Sequence, residues 1–101
     1  MPGSDPHARI ARKLRSIEAT KVDLLEHVAA VHRAVQSGSE RDIARSLAQV
    51  AGTVYLLGAQ IGIMPQDIDR MMHEWLARVL PKLELEPDTA DFFARYIQSK
   101  R

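Results

Sequence analysis

Apolar residues recur every three or four positions along most of this chain. Ile10, Leu14, Ile17, Leu24, Val28, Val31 and Val35 form one series, with Lys21 standing where a further apolar residue would fall. After Ser37-Gly38-Ser39 the series resumes as Ile43, Leu47, Val50, Val54, Leu57 and Ile61. A mean step of about 3.5 residues is that of helices lying nearly parallel or antiparallel to one another. The pattern predicts an all-α protein. Its helical bundle comprises a long N-terminal helix (or two, separated by a bend between Glu18 and Lys21), a second long helix and two shorter C-terminal helices. Leu24, Val28, Val31, Leu47, Val50, Val54, Leu57 and Ile61 are the expected core or interface positions, joined by Trp75, with Val54 and Leu57 the deepest.

Local signals set the boundaries. Residues 1–4 read as a disordered tail. Asp5-Pro6 supplies an N-cap followed by a proline at the first helical position, where its missing N–H costs nothing. No glycine or proline interrupts His7 to Ser37. Ser39, with Asp42 three residues on, makes a near capping box, and Gly62 is a natural left-handed terminator of the second helix. Ile68, Met71, Met72, Trp75, Leu76, Val79 and Leu80 predict a third helix bounded by Pro81, and residues 88–98 a fourth, capped by Asp88 and carrying Phe92, Phe93, Tyr96 and Ile97. Within the second helix, Gly52 and Gly58 each cost about 1 kcal/mol relative to alanine, which predicts another backbone approaching closely there.

Composition narrows the function classes. At 101 residues there is room for one domain, and so short a chain has a thin core that self-association would thicken. Fourteen Lys and Arg against 13 Asp and Glu argue against a dedicated polyanion binder. The absence of cysteine excludes disulfides, zinc–thiolate centres, iron–sulfur clusters and thiol catalysis. No apolar run approaches the roughly 18 to 20 residues of a membrane span, and the first residues lack a secretory hydrophobic segment. A cytoplasmic protein with no membrane partner is expected.

One stretch carries more than fold information. Leu24-Leu25-Glu26-His27-Val28-Ala29-Ala30, the break Gln36-Ser37-Gly38-Ser39, then Ser46-Leu47-Ala48-Gln49-Val50 and Gln60-Ile61-Gly62-Ile63 follow one another across residues 21–63. That helical hairpin resembles the MazG-like, all-α nucleotide pyrophosphohydrolases in helix length, break position and apolar spacing. The resemblance implies four acidic positions holding magnesium, which grips a nucleoside triphosphate while water attacks. Carboxylates suit a hard cation, and pairs three apart share one helical face. Carried across position by position, only Glu26 is acidic. His27 and Ala30 stand where the first helix would supply its metal-binding pair, and Ser46 and Gln49 where the second would. A shifted register recovers Asp23 and Glu26 as a pair, leaving Asp23, Glu26 and His27 as weak metal candidates without a matching pair on the second helix. The expected site is therefore degenerate, with no catalytic residue and no cofactor. Magnesium enters only if an unconventional site survives.

Other constellations are weaker. Asp67, Asp69, His73 and Glu74 are dense, but Asp67 sits in a first helical turn, where acids meet the helix dipole favourably, and Arg70 and Glu74 make an ordinary four-apart pair. Arg9, Arg12, Lys13 and Arg15 fan around the first helix instead of forming one stripe, which disfavours nucleic acid. The sequence reading is a non-catalytic MazG-like protein, forming a homodimer or higher homo-oligomer with a four-helix core and acting as an interaction or regulatory module, with room for a protein partner. Its alternatives are a nucleotide pyrophosphohydrolase with an unconventional metal site and a small nucleic-acid-associated protein using the basic first helix.

Overall fold

The computed structural model describes residues 5–99, so the expected tail at 1–4 lies outside the described residues. The protein is all-α. Its elements are α1 (Pro6–Ser37), α2 (Glu40–Ile61), α3 (Pro65–Val79), a 3-10 turn (Leu80–Lys82) and α4 (Pro87–Ser99), with no strand among the described residues. None of these helices is long and apolar enough to cross a membrane. The chain divides into two compact units, with the boundary between Pro65 and Gln66.

The first unit is an antiparallel hairpin of α1 and α2. α1 runs unbroken for 32 residues, about 48 Å at 1.5 Å per residue, with no bend at Glu18–Lys21. Asp5 caps it, its side chain accepting from the His7 N–H at 2.9 Å, and Pro6 opens the first turn. Gly38, at φ +78°, ends it in the left-handed conformation that glycine adopts without steric cost. Ser39 accepts from the Asp42 N–H to start α2, and Gly62, at φ +93°, closes α2 in the same way.

Exposure shows how the apolar series is used. Ile17, Leu24 and Val31 of α1 and Ile43, Val50 and Leu57 of α2 are half-buried, forming a rank with a seven-residue step on each helix. The second rank of the seam comes from residues three further on. Thr20 is buried with His27 and Ala34 half-buried on α1, and Ser46 is buried with Thr53 and Gln60 half-buried on α2. Residues four further on than the apolar rank turn the other way. Val28 and Val35 on α1 and Leu47 and Ile61 on α2 are more than half exposed, as is Leu14, whereas Val54 of the same row is half-buried and Lys21 stands among the α1 members. In an antiparallel pair, an equal displacement along both helices rotates both sets to the same side. The hairpin thus has a short-chain polar flank and an apolar flank.

Val54 and Leu57, expected deep, are only half-buried. A two-helix layer has one neighbour per helix and cannot enclose a side chain on all sides. Gly52 also departs from expectation. It is exposed, and a Cβ built there meets nothing within 4 Å, so no backbone among the described residues crowds it, whereas Gly58 is buried.

The second unit holds α3, the 3-10 turn and α4. Pro87 opens α4 one residue before the expected Asp88 cap. One α4 face carries Ala90, Phe93 and Ile97, of which Ile97 is buried. Trp75, expected at a core or interface position, is more than half exposed, as are Phe92 and Tyr96.

Candidate functional site

The positions singled out by the sequence fall mainly on the polar flank of the hairpin. His27 and Ala30 are half-buried on α1, Ser46 is buried on α2, and Gln49 is exposed one turn further on. These four positions therefore lie along one side of one helix pair. Their chemistry is neutral and short.

The hydroxyl groups of this flank are engaged by their own helices. Thr20 Oγ1 donates to the Ser16 carbonyl at 3.0 Å. Ser46 Oγ lies 2.9 Å from the Asp42 carbonyl and 3.0 Å from that of Ile43, sharing its single proton between them. Thr53 Oγ1 donates to the Gln49 carbonyl at 2.6 Å. This back-bonding lets a short polar side chain sit at a helix–helix seam without an unsatisfied donor. Gln60 is the member that crosses. Its Nε2 donates to Ser16 Oγ at 2.9 Å, while its Oε1 is buried without a hydrogen-bond partner.

The acidic candidates lie at the solvent edge of the same flank, with Asp23 two turns before Ala30 and Asp42 two turns before Gln49. Asp23 and Glu26 are exposed on α1, three residues apart. Asp42 is exposed at the start of α2 and pairs with Arg45 at 3.3 Å. Among the described residues, no group of three or more His, Asp and Glu is placed to hold one metal ion. A hard divalent cation bridging phosphates calls for several convergent carboxylates. Hydroxyls spent on backbone carbonyls, an alanine, one imidazole and two carboxamides do not fit it, and no step through such an ion is assigned.

The remaining polar cluster belongs to α3. Arg70 pairs with Asp67 at 3.2 Å, not with Glu74 as expected, because the three-apart geometry reaches the carboxylate already placed in the first turn. Asp67, Asp69 and His73 are half-buried and Glu74 exposed. Sequence reasoning missed Thr20, Thr53 and Gln60. The signal was present, since each stands three residues after a member of the apolar rank, but polar side chains do not register in a hydrophobic periodicity.

A family model described as the MazG-like family matches residues 10–92. The match covers α1 from Ile10 onward, α2, α3 and the opening of α4. No curated protein and no solved structure matches the chain.

Proposed function

The chain belongs to the MazG-like family, and on that premise we propose that it is a non-catalytic member acting as an interaction or regulatory module through self-association. The observation that carries this reading is the apolar flank of the hairpin. Leu14, Leu25, Val28 and Val35 from α1 and Leu47 and Ile61 from α2 lie open to solvent in the single chain. Lys21, paired with Glu18, interrupts the row on α1, and the exposed apolar side chains on either side of it mark an interaction site. The occupant is a second copy, because a flank apolar on both helices is self-complementary across a two-fold axis and two such hairpins make a four-helix core. The catalytic reading lacks a comparable support. Where the family resemblance places metal-binding acids, the chain carries His27, Ala30, Ser46 and Gln49.

Light scattering tests the proposal. The parent is expected at a multiple of 11.3 kDa at micromolar concentration. Val28→Glu with Leu47→Glu, placed in the middle of the flank, is expected to give a helical monomer. A parent of single-chain mass across that range defeats the reading.

A further inference from the structure

Two oppositely charged segments bear on how copies would meet. From Pro6 to Ile17 the chain carries Arg9, Arg12, Lys13 and Arg15 and no acid, and from Leu83 to Ala94 it carries Glu84, Glu86, Asp88 and Asp91 and no base. All eight residues are exposed. The ion pairs that join Lys21 to Glu18, Arg45 to Asp42 and Arg70 to Asp67 involve none of the eight.

The basic segment is placed against its own helix. The first turn of α1 contains no acid, so Arg9, the one of the four cations within it, stands at the positive end of the macrodipole, the unfavourable end for a cation. Arg9, Arg12 and Lys13, spaced three and four apart, share a face. Beside it Ile10 and Leu14 are more than half exposed. The acidic segment has a matching make-up. Leu83 is extended (φ −89°, ψ 145°), and the exposed Leu83 and Leu85 alternate with Glu84 and Glu86 before Asp88 and Asp91 follow on α4. One surface is apolar with a basic edge, the other apolar with an acidic edge.

We propose that the basic first turns of α1 dock on residues 83–91 of a second copy, reciprocally, so that a two-fold pair makes the contact twice. This rests on the self-association reading and adds which charged surfaces meet. The charges are equal and opposite in number, so a second copy satisfies both segments at once. A nucleic acid would satisfy only the basic one and repel the other. Charge pairs at an interface rim steer association and make it salt-dependent.

The test uses the full chain in sedimentation velocity. Raising sodium chloride from about 0.1 M to about 1 M shortens the Debye length from about 10 Å to about 3 Å, and the dissociation constant is expected to rise about tenfold or more. An association held by apolar contacts alone holds or tightens in salt, and that result overturns the docking while leaving self-association intact. A parent that never associates overturns both. In variants, Arg9→Glu/Arg12→Glu/Lys13→Glu and Glu84→Lys/Glu86→Lys/Asp91→Lys are each expected to weaken self-association, with helicity retained because every site is exposed. An equimolar mixture of the two is expected to restore it as a heterodimer. Restoration only when all six changes share one chain means pairing within a chain, and overturns the proposal. So does retention of a duplex oligonucleotide by the parent, lost in the first variant, with association unchanged.

Discussion

Gln60 and Ser16 are joined across 44 positions of sequence by one hydrogen bond, Nε2 to Oγ at 2.9 Å, which ties the end of α2 to the N-terminal half of α1. The same carboxamide leaves Oε1 buried with no hydrogen-bond partner. Breaking one side of such a pair strands a donor, whereas replacing both sides removes the requirement. Ser16→Ala is expected to cost about 1 kcal/mol, and Ser16→Ala with Gln60→Leu to fall within about 0.5 kcal/mol of the parent or above it. Urea melts of the four proteins check this, and simple additivity of the single changes would count against it.

The glycines separate by conformation. Gly38 and Gly62, at φ +78° and +93°, should each lose about 1–2 kcal/mol on replacement by alanine, which resists the left-handed region. Gly52 lies inside α2 with open space around its Cβ position, so Gly52→Ala is expected to stabilise by about 0.5–1 kcal/mol. Thermal melts that rank the three changes otherwise would mean another chain occupies the space beside Gly52.

Leu57 and Leu56 are neighbours with different surroundings. Leu57 is half-buried in the apolar rank and Leu56 is 54% exposed. Leu57→Ala is expected to cost about 1–3 kcal/mol and Leu56→Ala about 0.5 kcal/mol or less. Equal losses in chemical denaturation would show that the inward face has been misassigned.

Pyrophosphate release separates the function classes. The parent is expected to give none above the buffer rate from nucleoside triphosphates with magnesium or manganese. Turnover abolished by Asp23→Asn with Glu26→Gln, but untouched by changes at Glu84 and Glu86, would promote the enzyme reading.

Reinstating acids tests the polar flank itself. Ser46 is buried and its hydroxyl is held by two carbonyls, so Ser46→Glu must place a charge at the seam and is expected to cost about 1–3 kcal/mol. Gln49→Asp, at an exposed position, should cost less than about 1 kcal/mol. Combined with His27→Glu and Ala30→Glu, the loss should be partly recovered by manganese in a melting scan. A melt unmoved by the metal would argue that these four positions do not converge.

The all-α class, the Asp5 and Ser39 caps and the Gly38 and Gly62 terminators were legible in the sequence, because each is fixed by residues a few positions apart, while one N-terminal helix or two was left open. The rank assignment was not. Ile17 and Leu14 are equally apolar, yet one is half-buried and the other 58% exposed. Periodicity defines an apolar arc wider than one neighbour can cover and does not say which part of it the hairpin takes. The polar rank was hidden for the complementary reason: Thr20 and Ser46 enter the seam by satisfying their hydroxyls within their own helices, a local solution that no apolar pattern announces. The neutrality of His27, Ala30, Ser46 and Gln49 could be read directly, because a missing carboxylate is visible without coordinates.

Because half of the seam consists of Thr20, His27, Ala34, Ser46, Thr53 and Gln60, parting the two helices uncovers little hydrocarbon. The heat-capacity increment of that opening should lie below the roughly 12–15 cal/mol/K per residue of ordinary domains, since polar exposure lowers what apolar exposure raises. A small increment flattens the stability curve. The hairpin's cohesion then changes slowly between cold and warm conditions, and its cold denaturation recedes further below freezing.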